Sequence, residues 1–547
     1  FPLLIATAER AGAQRVLGPW EDASIAPRGV LRAEIATTWT RANERFARTG
    51  DGTEPLGTDF SLQALDASII ESLNGLAPRL STLTGGPVPS LTLGGLEVRL
   101  EQTEYITPIT LELGLTSRLA VRAVIPYVKN RVEVFPAPNT ARTGNMGVNP
   151  ALEVPAARMQ NGLVVSQLTT AANRLNAELA RCLGSTDPSC SAINADRAAA
   201  STLAQNALAA ASAVASVYGT ASAAGSPLVP VAQTSIHQSI LARLATFETQ
   251  FTNFLGAPQS GTWISAAPVA APPIAMADFQ RVLTAPVFGI AGRPLADVEH
   301  SHLGDIEVGA KLVLFDTFGH IPGRPTPRRT LGLRMAVAGL YRLPTGQRDR
   351  TDDFADIGTG DVQPDIEARG FLDVMLGRAF WTSAVIRYAR QLSDETTLRI
   401  TDAPGMPFPA RFRQQTATRD LGDVFEFEIS PRVAPNETFS LSANYHYRSK
   451  AADTYSGFSG TVPGADGAPV MLDASTLGIQ TATHQQRVGM ALTFSTVRAY
   501  GERRSRWPME VSLAHTQIIA GEGVPKTFAT TVTFRVYRRL FGPNPMR

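Results

Sequence analysis

Ionisable side chains recur at every second position along several short stretches of this 547-residue chain. Glu426 and Glu428 lie within Phe425-Glu426-Phe427-Glu428-Ile429-Ser430, and Glu307 and Lys311 within Ile306-Glu307-Val308-Gly309-Ala310-Lys311-Leu312. Asn444, His446 and Arg448 alternate with Ala443, Tyr445 and Tyr447. Arg122, Arg334, Arg387, Arg432, Glu510 and Arg535 hold the same parity elsewhere, as do Glu367, Arg369 and Asp373. Charged groups of both signs on one face of a strand can do two kinds of work. They can pair across an enclosed space and hold its shape, or they can line a polar route for a solute. The mixed signs favour pairing, so the expectation is a narrow or partly plugged lumen.

Other reactive types offer less. His446 with Ser442, and His515 with Thr516, are the nucleophile and base candidates, but neither sits in a serine-hydrolase context, so no enzyme activity and no catalytic residue is expected. Asp349, Asp352, Asp353, Asp356 and Asp361 crowd one segment. Their spacing fails the EF-hand template, which leaves a weak calcium candidate beside a solvated acidic loop; no metal and no cofactor is assigned. Gly358-Thr359-Gly360 has no helix start after it, and His300 and His302 are isolated. Cys182 and Cys190 are the two cysteines of the chain. With no histidine near, they favour a local disulfide in an oxidising compartment over two free thiols.

The elements that must position these residues are strands. Period two puts one face toward an apolar medium and the other toward water or charge partners. The apolar face carries Leu119, Val121, Ala123 and Ile125; Leu331, Leu333, Met335 and Val337; Leu441, Ala443, Tyr445 and Tyr447; and Val488, Met490, Leu492 and Phe494. Ionisable groups are too costly to face hydrocarbon at mid-depth, by about 2–4 kcal/mol for Arg or Lys. Tyr445, Tyr447, Tyr388, Trp381, Trp39, Trp507 and Tyr537 would suit aromatic girdles. About twelve strands are expected, near 28–46, 94–116, 118–135, 303–317, 328–344, 362–376, 378–393, 422–434, 438–450, 482–498, 506–519 and 526–540. Short connections such as Thr116-Ser117-Arg118 and Leu376-Gly377-Arg378 alternate with long ones at 47–93, 136–302, 345–361, 394–421 and 451–481. A soluble sandwich has no reason to segregate loops by parity, whereas an outer-membrane barrel has short periplasmic turns and long extracellular loops. No uninterrupted apolar window of eighteen residues offers a spanning helix, which says nothing against a barrel. The fold class is therefore an all-β antiparallel transmembrane barrel of about twelve strands with an α-helical extracellular insertion.

The insertion is 151–257, rich in alanine, with apolar residues at helical spacing: Leu168, Leu175 and Leu179, then Leu203, Ala207 and Val214, then Ile236, Ile240, Leu244, Phe247 and Phe251. Two of its helices would form a hairpin clipped by the cysteines and packed over the barrel mouth. The expected organisation is an N-terminal periplasmic segment at 1–27, barrel strands at 28–150, the insertion, a linker at 258–302 and the remaining strands at 303–547. Ala11-Gly12-Ala13 resembles a signal-peptidase site, although Glu9 and Arg10 interrupt the apolar run before it.

Leu111-Glu112-Leu113-Gly114-Leu115-Thr116-Ser117-Arg118-Leu119 with Ile125-Pro126-Tyr127, then Leu303-Gly304-Asp305-Ile306-Glu307-Val308-Gly309-Ala310-Lys311, Leu343-Pro344-Thr345-Gly346 and Ile357-Gly358-Thr359-Gly360-Asp361-Val362-Gln363-Pro364-Asp365-Ile366 occur in order. Together they resemble an outer-membrane transporter family associated with the meta pathway of phenol degradation. The resemblance implies a barrel in the bacterial outer membrane that passes small, often aromatic or hydrophobic, solutes. The helical insertion departs from the compact family pattern. A net charge of +2, scattered along the chain, gives no sign of nucleic-acid binding. The expected partners are outer-membrane lipid and a small-molecule solute, with long loops extracellular and both termini periplasmic. The alternative is a barrel-anchored surface protein whose segment 151–257 binds a protein partner or assembles into a larger structure.

Overall fold

Twelve strands with that alternation pair edge to edge, each antiparallel to its sequence neighbour in the barrel. They are β1 (Val30–Ala42), β2 (Gly94–Gly114), β3 (Leu119–Thr143), β4 (Ile306–Asp316), β5 (Leu331–Leu343) and β6 (Asp365–Leu376), followed by β7 (Phe380–Gln391), β8 (Val424–Val433), β9 (Phe439–Lys450), β10 (Thr483–Ser495), β11 (Met509–Glu522) and β12 (Phe528–Arg539). The ring closes where β1 pairs with β12, from Val30 opposite Arg539 to Arg41 opposite Phe528. Closure leaves no sheet edge, which is what a strand structure needs in lipid. This computed structural model describes residues 20–48, 52–317, 331–376, 380–436, 438–464, 467–501 and 503–542. The expected turn at 318–327 lies outside the described residues, as do parts of those at 376–378 and 434–437.

Burial follows the sequence pattern. Along β6, Ile366, Leu372 and Leu376 are exposed, while Glu367, Arg369 and Asp373 are buried. Met490, at 74% exposure, and Leu441, at 56%, stand on the outer wall, whereas Arg448 is 1% exposed. The barrel is thus apolar outside and ionic inside.

Two strands outrun the rest. β2 has 21 residues and β3 has 25. At about 3.3 Å per residue each exceeds what crossing a bilayer core demands. Their surplus ends rise beyond the long-connection end of the barrel, where Leu96, Val98, Leu100, Val132 and Val134 join a large apolar core. Helices α1 (Leu76–Thr84), α2 (Pro155–Arg181), α3 (Arg197–Tyr218), α4 (Ser235–Leu255) and α5 (Met276–Thr284) complete that core.

α2 and α3 meet through small residues. Ala171 and Ala172 of the first and Ala200, Ala204, Ala207 and Ala211 of the second are all buried, and such small side chains let packed backbones approach closely. Cys182 and Cys190 form a disulfide across the link between them, with Cα atoms 5.4 Å apart. Asn161 caps the end of α3 by donating to the carbonyls of Tyr218 and Gly219 at 3.1 and 3.0 Å, and its Oδ1 accepts from Val269 N. The helical run does not keep a core to itself. Phe408 packs against Phe60, Phe279 and Phe354, joining the first long connection, α5 and two later loops in one cluster.

Candidate functional site: a barrel interior closed by ion pairs

The central feature of the interior comes from the chain before β1. Residues 20–27 run through the lumen. Glu21 lies at the middle, its carboxylate 2.7 Å from Arg369 Nη1, 3.0 Å from Arg387 Nη2 and 3.2 Å from Arg122 Nη1. Trp20 Nε1 donates to Ser442 Oγ at 2.6 Å, and Ala23 N donates to both carboxylate oxygens of Asp373 at 3.1 Å. Lys311 Nζ donates to the Asp22 carbonyl and lies 3.8 Å from the centre of the Phe371 ring. Ala26 N donates to Glu112, which also pairs with Arg32 at 2.6 Å. The segment is held by wall contacts along its described length.

Around Glu21 the walls form one network. Arg369 also reaches Glu367 at 2.7 Å and Glu307 at 3.5 Å. Arg342 bonds Asp365 at 2.5 Å and Glu307 at 2.8 Å. On the neighbouring strand, in register with Arg369, Arg387 meets Glu428 at 2.5 Å and Glu426 at 3.4 Å. Glu426 takes Arg448 and His446, both at 3.3 Å, and Asn444 Nδ2 donates to Glu428 at 3.0 Å. Arg334 lies 3.5 Å from Asp373 and 3.1 Å from Asp316. Arg535, bonded to Glu34 at 2.6 Å and Glu510 at 2.8 Å, makes a separate cluster near the short-connection end. Arg432 lies over the Trp381 ring, 4.7 Å from its centre.

Sequence reasoning missed Glu21, Arg342 and Asp365. A signal for Glu21 was present: the interior set it named holds eight Lys or Arg against six Asp or Glu, so an anion had to come from elsewhere. Two girdle residues are corrected as well. Tyr537 is buried and donates to Glu510 Oε2 at 2.9 Å, and Trp381 shares the parity of the buried Ser383 and Arg387. Trp39 fits the outer wall, edge-on to Phe528 with ring centres 5.7 Å apart.

The histidine pairs do not assemble a nucleophile and base. Ser442 is engaged by Trp20, His446 by Glu426, and His515 Nδ1 lies 3.1 Å from Thr530 Oγ1. The acidic loop is likewise taken up by protein. Asp356 pairs with His300 at 2.5 Å, Asp352 with Arg293 at 3.4 Å, and Asp349 accepts from Gly358 N. Among the described residues no three His, Cys, Asp or Glu converge as a metal site.

That loop does shape a cleft. Between the connections β5–β6, β7–β8 and β9–β10, at the long-connection end, a cleft of about 80 Å³ opens to solvent. Phe354, Leu398, Pro409, Leu421 and Leu477 give it apolar surface, and charged groups, among them Asp353, Asp361, Arg399, Arg419 and Asp453, line the rest together with Tyr455. Burial, then the neighbouring Asp356 charge, pushes the Asp353 carboxyl up, and burial pushes the Tyr455 phenol up. Among the described residues Asp353 Oδ1 and Asp361 Oδ1 find no hydrogen-bond partner.

A closed antiparallel ring with an apolar outer belt and an ionic interior is a transmembrane β-barrel of the bacterial outer-membrane type. No protein-family model matches the chain, the phenol-pathway transporters included, and no curated protein is significantly similar to it. Solved structures it resembles include an outer-membrane channel from Pseudomonas putida F1, at 9% identity and TM-score 0.40 over 96% of this chain and 100% of that one. The Ralstonia pickettii toluene transporter TbuX aligns at 7% identity and TM-score 0.27 over 96% and 94%. The Pseudomonas putida toluene transporter TodX aligns at 10% identity and TM-score 0.23 over 94% and 90%. Superpositions this loose place no constraint on the function of this chain.

Proposed function

We propose that the chain is an outer-membrane channel for small apolar or aromatic solutes, taken up at the cleft on the long-connection end, which faces outward from the cell. The observation that carries this reading is the cleft itself: apolar surface at the heads of β6, β8 and β9, directly where the barrel interior begins. A purely structural anchor needs no such opening. The unpartnered oxygens of Asp353 and Asp361 would accept a hydrogen bond from a solute that carries a donor on its apolar body. Beneath the cleft, the segment 20–27 and its ion pairs keep ions out at rest, so passage and ion leakage are separable properties.

The test measures both. Cells making the full chain should take up radiolabelled toluene faster than vector controls, and Leu398→Glu, which puts a charge on a cleft wall, should return uptake to the control rate with the barrel folded. In planar bilayers the unaltered protein should conduct little, and Glu21→Gln, which leaves three arginines short of their shared carboxylate, should raise conductance several-fold. Uptake at the control rate for the unaltered chain would sink the proposal.

A further inference from the structure

The short-connection rim carries an arc of positive charge. Four pieces make it: the β10–β11 turn, the end of β12, the chain entering β1 and the β2–β3 turn. Main-chain hydrogen bonds tie them together, from Tyr537 N to Pro508 O at 3.1 Å, Leu540 N to Gly29 O at 2.8 Å and Gly29 N to Gly114 O at 2.8 Å. Arg28, Arg118, Arg503, Arg506 and Arg538 are all exposed along this arc. The four stretches 27–31, 113–119, 497–509 and 536–542 contain a single acidic residue in sequence, Glu502.

The arc borders the apolar outer wall. Arg538 continues the outward parity of Val532 and Phe534, which are 52% and 41% exposed. Trp507 continues the outward parity of β11 and is 72% exposed, and Leu540 is 53% exposed nearby. An amphipathic aromatic ring and guanidinium groups at the margin of an apolar belt match the headgroup level of a bilayer, where arginine can bind phosphate through two parallel hydrogen bonds. The outer wall near the other end is different. There Arg41 pairs with Glu101 at 2.6 Å, Lys129 with Glu299 at 2.7 Å and Arg131 with Glu133 at 2.8 Å. Those three cations are each matched by a carboxylate of the chain, whereas among the described residues Arg28, Arg118, Arg503, Arg506 and Arg538 make no ion pair with a carboxylate.

We propose that this arc binds the phosphate groups of anionic phospholipids in the leaflet it borders, and so fixes the depth and tilt of the barrel on that side. The inference rests on the reading above that this end faces the periplasm, where the leaflet is phospholipid. Binding is electrostatic, graded with the number of arginines, and weakened by salt.

The test titrates the purified full chain in detergent with phosphatidylglycerol and, separately, phosphatidylethanolamine, and counts retained lipid by native mass spectrometry. Phosphatidylglycerol should be retained in preference. The triple variant Arg503→Gln, Arg506→Gln, Arg538→Gln should lower its retention about a hundredfold. The triple variant Arg41→Gln, Lys129→Gln, Arg131→Gln at the other end should retain it as the parent does. Equal retention of the two lipids by the unaltered chain overturns the proposal, as does an equal loss in both variants. Orientation is read independently by labelling Ser505→Cys with a membrane-impermeant maleimide. Reaction only after the outer membrane is permeabilised is expected, and reaction in intact cells overturns the leaflet assignment whatever the lipid counts show.

Discussion

The barrel interior and the helical cap bury their side chains by opposite rules. In the cap, Val164, Leu168, Phe247 and Phe251 are sealed from water, and the polar groups beside them are capped one by one, as Asn161 shows. In the barrel, the sealed side chains are Arg369, Glu367, Glu426 and Arg448, and the leucines and valines stand outside. The solvent explains the inversion. Water drives apolar surface of the cap inward, whereas hydrocarbon around the barrel accepts apolar side chains and leaves the interior to groups that must satisfy one another. An interior of charges stays closed only while every carboxylate has its guanidinium, so it is less tolerant of loss than an apolar core, which can partly collapse around a gap.

Three substitutions break or sharpen this contrast. The largest effect is expected from Arg342→Met, which strips Glu307 and Asp365 of a shared partner and should cost the barrel about 4 kcal/mol. It would show as heat-induced loss of the folded barrel on a denaturing gel at lower temperature, with the helical circular dichroism of the cap unchanged. Next comes Phe408→Ala, at the meeting point of three other phenylalanines, with an expected cost of about 3 kcal/mol to the cap. Its signature is the reverse: faster proteolysis of the cap while the barrel resists heat as before. If either variant melts both regions together, the two cores act as one unit and the contrast fails.

The smallest effect is a pH-dependent one at the cleft. Asp353 has its carboxyl pushed above the ordinary range by burial and by Asp356, so its protonated form is favoured in the folded loop. The stability it contributes is present at acid pH and is lost as pH rises through the raised folded value. Asp353→Asn should therefore raise the melting temperature slightly at neutral pH and leave it unchanged below the ordinary carboxylate range. A gain of equal size at both pH values would contradict the burial argument.

Alternation along the chain was enough to separate inner from outer faces, because strand side chains reverse direction at every residue whatever the partner strand is. It located the twelve strands, and helical spacing found α2, α3 and α4. The extension of β3 to Thr143 was not legible, since Phe135-Pro136-Ala137-Pro138 reads as the end of a strand. Nor was the merging of loops into one cap core legible, because Phe60, Phe279, Phe354 and Phe408 are far apart in sequence and each is unremarkable in its own segment.

Sequence alone, then, determined what each segment could be: a two-sided strand, an amphipathic helix, a cysteine-closed link, a short or a long connection. These are local properties, fixed by backbone period and turn chemistry within a few residues. Tertiary structure decided which charges meet, that Glu21 closes a lumen from a stretch carrying no strand or helix signal, and that three distant loops enclose a cleft. Those outcomes depend on how twelve strands close their register around a ring, and no window along the chain contains that information.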